Sequence, residues 1–158
     1  MPKKPYETKY GVSAEFQKRI MDATEEQELT KVQFAKAAGV SKDIIIKATA
    51  YQIVPSTKSI IKIANYMQVP VMYLFGETDD DYFSPARNPS TFFERLAQLT
   101  EEKRVKYSAL SHTLSFAPNA VYEWIRTNSL PSLDYLVELA QYFDVSVDYL
   151  LGRTDDRN

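Results

Sequence analysis

Displacing the chain against itself by 76 residues aligns 16–80 with 92–156 without a gap, and 17 of those 65 positions are identical. A repeat of that period means one folding unit used twice, so the chain reads as two copies of one small domain. Identical pairs include Phe16/Phe92, Arg19/Arg95, Thr24-Glu25-Glu26/Thr100-Glu101-Glu102 and Pro55-Ser56/Pro131-Ser132. The end of the repeat matches best: Tyr73-Leu74, Gly76 and Thr78-Asp79-Asp80 recur as Tyr149-Leu150, Gly152 and Thr154-Asp155-Asp156. From 64 to 80, 10 of 17 positions match their partners, and from 40 to 54 none of 15 do. A scaffold kept constant around one segment that changes completely is the pattern of two readers of different surfaces.

The expected organisation is a basic mobile arm over 1–12, a first domain over 13–78, a linker over 79–88, a second domain over 89–154 and a tail over 155–158. Three aspartates, Asp79, Asp80 and Asp81, followed by Pro85, give the linker its acidic, proline-containing character. A bundle of about 65 residues is near the lower size for independent folding, so packing between copies or between chains is expected to help.

Each copy reads as short helices. Phe16, Ile20 and Ala23 lie at helical spacing. Thr30 with Gln33 is a capping-box pattern opening a second helix with Phe34 and Ala35 turned inward. Gly39 stands where a tight turn needs positive φ, and Ser41 is the expected N-cap of a third helix beginning at Lys42. Ser56 caps a fourth, whose buried stripe is Ile60, Ile63, Ala64 and Met67, and a fifth covers Pro70 to Phe75 before Gly76. The second copy repeats the plan with Phe92, Leu96 and Leu99, then Leu110 and Leu114, then Pro118 in the first turn of its third helix, then Leu136, Leu139, Ala140 and Phe143, and finally Ser146 to Leu151. Strand-like alternation is absent, so the fold class is all-α: two tandem five-helix domains.

Composition removes several chemistries. The chain has no cysteine and one histidine, His112, which excludes disulfide scaffolds, thiolate metal sites, cysteine nucleophiles and multi-histidine zinc sites. Its four glycines are too scattered for a phosphate-cradling loop. No stretch approaches the roughly 18 apolar residues of a membrane helix, and a cytoplasmic location is expected. His112 has no evident nucleophile beside it, and Glu25-Glu26 reads as a solvated helix end, so an enzyme is not expected and no cofactor is implied.

Each copy resembles the lambda-repressor-like (XRE, Cro/C1-type) helix-turn-helix domain. In the first, the resemblance is carried by Leu29-Thr30-Lys31-Val32-Gln33-Phe34-Ala35, Ala38-Gly39-Val40-Ser41, Pro55-Ser56, Ile60-Ile61-Lys62-Ile63-Ala64 and Val69-Pro70-Val71-Met72-Tyr73-Leu74. In the second it is carried by Ser115-Phe116-Ala117-Pro118-Asn119-Ala120-Val121-Tyr122-Glu123-Trp124, Leu130-Pro131-Ser132-Leu133 and Val145-Ser146-Val147-Asp148-Tyr149-Leu150-Leu151-Gly152. The family binds operator DNA, most often as dimers, in transcription regulators, and the resemblance implies the same here, with repression as the expected mode. Two departures stand out. The family's Glu-x-Gly after the third helix is Thr49-Ala50-Tyr51 in one copy and Ile125-Arg126-Thr127 in the other, and Gly39 at the corner becomes Ser115. A serine held at positive φ costs more than glycine, so that corner is expected to be reshaped.

In the family's docking geometry the third helix enters the major groove with its N-terminal residues forward. The resemblance then places Lys31, Ser41, Lys42, Asp43, Ile46 and Lys47 of the first copy at DNA. Lys31 suits a phosphate, Lys42 suits guanine O6 and N7, Asp43 suits cytosine N4, and an exposed isoleucine suits a thymine methyl. Lys36 and Lys58 are further candidates for phosphate contact. Of Ile44-Ile45-Ile46, one helical face buries Ile45 with Ala48 but not all three, leaving apolar surface for thymine methyls or for a protein contact. The second copy offers Tyr107, Asn119, Tyr122 and Arg126, with Ala117 and Pro118, and Glu123 where the first has Lys47. Lys103, Arg104 and Lys106 could reach phosphates, and Trp124, aligned with Ala48, is expected in the core. Residues 13–78 carry 8 basic and 7 acidic side chains, +1, and 91–154 carry 6 and 8, −2. Phosphate neutralisation drives much of DNA affinity, so charge favours the first copy as the reader.

Two readings of the second copy stay open, DNA binding and dimerisation or capture of a regulatory protein partner. A linker of about 11 residues has an extended reach of about 36–40 Å, enough to span the roughly 34–36 Å between successive major grooves on one face, so tandem binding to one DNA face is possible. Lys3, Lys4 and Lys9 of the arm could follow a phosphate backbone. The rival function is a protein-interaction module, an anti-repressor or antitoxin-like partner whose helix-turn-helix domains no longer bind DNA.

Overall fold

The computed structural model describes residues 10–158, which divide into two compact units, 10–83 and Ser84–Asn158. The lysines expected in the arm, Lys3, Lys4 and Lys9, lie outside the described residues. All regular structure among the described residues is helical: α1 (Ala14–Glu26), α2 (Lys31–Ala38), α3 (Lys42–Tyr51), α4 (Thr57–Met67) and α5 (Val71–Leu74) in the first unit, and α6 (Phe92–Lys103), α7 (Tyr107–Thr113), α8 (Ala120–Thr127), α9 (Leu133–Phe143) and α10 (Val147–Leu150) in the second. No helix among them is long and apolar enough to cross a membrane, and no group of His, Asp or Glu among them is disposed to hold a metal ion.

Capping residues fix the starts of these helices. Ser13 accepts from the Phe16 amide, Thr30 and Gln33 close a complete capping box, and Ser56 accepts from the Ser59 amide. In the second unit Thr91 and Glu94 form the same box, and Ser146 accepts from the Tyr149 amide. Ser41 occupies the N-cap of α3 but its hydroxyl makes no cap bond. Helix ends recur just as regularly. Glu28, Gln52, Gln68 and Gly76 all have positive φ, and so do Arg104, Asn128, Asp144 and Gly152, each 76 residues later. Gly39, at φ 79, breaks the series, because Ser115 does not share its left-handed backbone. The strain a serine would carry there is avoided: α7 ends at Thr113, and the Ser115 hydroxyl donates to Glu138 Oε2 at 2.6 Å.

The first core is built on Phe16, Ile20, Phe34, Ile45, Ile60, Ile63 and Leu74, all fully buried. Each such side chain contributes roughly 1.5–3 kcal/mol. Phe75 stacks on Phe16 with ring centroids 5.2 Å apart, and Tyr10 meets Phe75 edge-on. Residues 10–12, expected in the arm, therefore belong to the first unit: Tyr10 is buried, the Gly11 carbonyl accepts from the Val54 amide at 3.0 Å, and Val12 pairs with Ile53 in an antiparallel bridge. The second core is built on Leu96, Leu110, Leu136, Leu139 and Leu150, with Trp124 edge-on to Phe116 and Phe92. Residues 84–88, expected in the linker, are hydrogen-bonded to the end of their own unit. Thr154 Oγ1 donates to the Ser84 carbonyl, the Ala86 amide to the Arg153 carbonyl and the Arg87 amide to Asp155.

One constellation explains several of the repeated residues at once. The Arg19 guanidinium lies 3.9 Å from the centre of the Tyr73 ring and pairs with Asp79. The Arg95 guanidinium lies 4.0 Å from the centre of the Tyr149 ring and pairs with Asp155. A cation over an aromatic face and beside a carboxylate ties the last turn of each unit to its first helix. The three identities Arg19/Arg95, Tyr73/Tyr149 and Asp79/Asp155 are thus one device used twice.

Candidate nucleic-acid interface

Helix α3 packs on α1 and α2 through Ile45, Ala48 and Thr49, which are buried, with Ile44 half-buried. Helical spacing then turns Asp43, Ile46, Lys47 and Ala50 to the opposite side, and all four are exposed. Ser41 and Lys42, at the N-terminal end, are exposed as well. Lys31 opens α2 in exposed position behind the Thr30 capping box, and Lys36 and Lys58 are also exposed. Among the described residues none of these five ammonium groups is tied up in an ion pair, and neither is the Asp43 carboxylate. On α3 itself, Lys42, Lys47, the Asp43 carboxylate and an isoleucine that is 37% exposed make a face able to meet phosphates, base edges and methyl groups, while Lys31 and Lys36 lie on α2 and Lys58 on α4. Of the isoleucine triplet, Ile45 is buried and Ile46 is the exposed member.

The corresponding face of the second unit is built differently. The series of helical turns breaks between α7 and α8, and Pro118 lies in a turn two residues before α8 rather than inside its first turn. Proline in the first turn of the helix is what the sequence predicts. The helix starts instead at Ala120, behind Asn119 with φ −98 and ψ 4, whose side chain makes no cap bond and is exposed. Tyr122, 53% exposed, meets the half-buried Tyr107 edge-on at 6.0 Å. Arg126 donates to Glu123 through two nitrogens, the shorter bond 2.6 Å. That hydrogen bonding holds the Glu123 carboxyl below its ordinary range and pushes the Arg126 guanidinium up. Arg126 is thus engaged within its own helix, and α8 adds no unpaired cation, although Arg104 and Lys106 ahead of α7 are exposed and in no ion pair among the described residues. Lys103 is turned to the Tyr142 carbonyl at 2.8 Å, lying over the Tyr142 ring.

The physical cause of the difference sits in the core. Ala48 is completely buried beneath α1, and its partner in the repeat is Trp124. An indole does not fit an alanine's space, so Trp124 lies half-buried among Phe92, Phe116 and Tyr135, and α8 packs on α7. His112 is exposed on α7.

Two features were not anticipated from sequence. Tyr51 closes α3 with 69% of its surface exposed, beside the lysine face. The C-terminal end of α3 is also held by side chains: Gln17 Nε2 donates to the Thr49 carbonyl and Gln52 Nε2 donates to Gln17 Oε1 at 3.1 Å. Hydrophobic spacing gives no signal for polar pairs 32 and 35 residues apart.

Comparison with known proteins gives one informative likeness. Over 65 residues the chain is 37% identical to an uncharacterized HTH-type transcriptional regulator, YobD, of Bacillus subtilis (strain 168). The matched stretch covers 41% of this chain and 58% of that regulator. No family model matches the chain, and no solved structure matches it.

Proposed function

We propose that the chain is a sequence-specific, double-stranded-DNA-binding transcriptional regulator of lambda-repressor-like type, with two tandem five-helix domains and α3 of the first as the major-groove reader. The observation that carries this reading is the exposed, unpaired face of α3, with Lys42, Asp43, Ile46 and Lys47 along it and Lys31 at the start of α2. The likeness to a regulator named for its helix-turn-helix supports it. In this reading Lys31, Lys36 and Lys58 hold phosphates, Ser41, Lys42 and Asp43 meet base edges, and Ile46 meets a thymine methyl. The protein acts as a cytoplasmic repressor, and two copies pair so that their first domains occupy symmetric half-sites.

The second domain has a different part. With Arg126 bound to Glu123 and with Tyr122 and Ile125 exposed, its third-helix face suits a protein partner or a second copy better than a phosphate backbone. Asn119 and Tyr122 are the residues through which it would touch a base if it docks as well.

Selection of bound fragments from a random duplex library at about 0.15 M salt tests the reading. Enrichment of a defined motif is the expected result. Weak binding that vanishes with salt and enriches nothing would replace it with the protein-interaction module.

A further inference from the structure

We infer that Gln17 is a positioning residue for the recognition helix, fixing the C-terminal end of α3 so that its lysine face meets DNA at one angle; this rests on the reading of α3 just given. Gln17 projects from α1, half-buried, and uses both ends of its amide. Its Nε2 donates to the Thr49 carbonyl, one of the four carbonyls that the end of a helix leaves without an intrahelical partner. Its Oε1 accepts from Gln52 Nε2, and Gln52 is the left-handed residue that terminates α3. Around this clasp the backbone is tied twice more to the segment that opens α1: the Ser13 amide donates to the Gln52 carbonyl at 2.9 Å, and the Val54 amide to the Gly11 carbonyl at 3.0 Å. Toward its N-terminal end α3 is held by apolar packing, with Ile45 fully buried, and the Ser41 hydroxyl adds no cap bond. The directional side-chain hydrogen bonds that tie α3 to α1 are those at its far end.

The repeat supplies an internal control. At the position equivalent to Gln17 the second unit has Phe93, which carries no amide and cannot reproduce the clasp. There α8 packs on α7, Ile125 is exposed, and the helix lacks an unpaired cation. The clasp and the lysine face occur in the same unit.

Positioning acts on discrimination, because base-edge hydrogen bonds are directional while phosphate attraction is not. The test uses the full chain and compares binding to the selected motif with binding to a random duplex of equal length, for wild type, Gln17→Met and Gln17→Glu. Methionine conserves volume and removes both bonds; glutamate keeps an acceptor for Gln52 and removes the donor to Thr49. The expected result is a loss of about tenfold in motif affinity for both variants, with random-duplex affinity unchanged within about twofold and the melting temperature within a few degrees. Unchanged discrimination in both variants would overturn the positioning role alone. A parallel fall of motif and random binding would assign Gln17 to stability and overturn it too. A wild type that enriches no motif would overturn this role together with the proposed function.

Discussion

Helices α3 and α8 hold the same place in the repeat, yet they share no residue, and the structures around them have parted company. The C-terminal halves have not: α4 and α9, and α5 and α10, begin and end 76 residues apart without exception. The contrast teaches that the repeat is two modules inside each unit. One module is the frame made by the first, fourth and fifth helices and closed by the arginine–tyrosine–aspartate device. The other is the helix pair that displays a surface, and it differs between the units, with Trp124 where the first has Ala48 and Ser115 where it has Gly39. The frame tolerates that change because its own contacts run through Phe92, Leu96, Leu136, Leu139 and Leu150, which stay buried.

The largest expected effect breaks the frame in one unit only. Asp148 and Arg153 form a buried ion pair at the end of the second unit, with side chains 9% and 4% exposed, where the first unit has Met72 and Glu77. Burial pushes the Arg153 guanidinium down and Asp148 pushes it back up. Asp148→Ala removes the carboxylate facing a buried guanidinium and is expected to cost about 3–5 kcal/mol. Hydrogen exchange read peptide by peptide should show the loss in 84–158 and spare 10–83; equal loss in both would contradict a role for the pair confined to its own unit.

A smaller effect sharpens the comparison at the corner. A Cβ at Gly39 meets nothing within 4 Å, so Gly39→Ala should cost only the left-handed backbone term, about 1–2 kcal/mol. Ser115→Gly, which restores the first unit's residue, should not stabilise the second. It should cost about 0.5–1.5 kcal/mol through the lost hydroxyl bond to Glu138. Thermal unfolding of both variants checks the pair, and a stabilised Ser115→Gly would mean that the corner was held at positive φ after all.

The smallest effect concerns pH. Hydrogen bonds from Arg157 and then Gln98 hold Glu102 below its ordinary value of 4.5. A carboxylate with a depressed folded pKa contributes stability that is present above 4.5 and lost as pH falls through the folded value. Glu102 is solvent-exposed, so the loss is slight. It should show as a small acid-side shift in the melting temperature that Arg157→Ala reduces, the Gln98 bond remaining.

Much of the frame was legible. Caps and apolar spacing located the starts of α2, α3, α4, α5 and α10 to within about two residues, because those signals are local and chemical. The start of α8 was misjudged because Pro118 carries the signature of a first turn, and only the packing of Trp124 against Phe116 and Tyr135 shows why the helix begins later. The engagement of Arg126 by Glu123 was within reach, since residues three apart share a helix face. The Gln17 clasp and the inclusion of 10–12 and 84–88 in the units were not, because both depend on polar contacts between segments far apart in the chain. At the candidate interface, residue type was readable and availability was not: lysines are visible in a sequence, but which of them stay unpaired is a property of the fold.

The central claim is that one helix face of the first unit reads DNA. The direct measurement is affinity for the selected motif with wild type, Lys42→Ala/Lys47→Ala and Asn119→Ala. The lysine pair should lose at least about tenfold, while Asn119→Ala stays within about twofold of wild type. Full binding by the lysine double variant, with loss in Asn119→Ala, would contradict the account and make the second unit the reader.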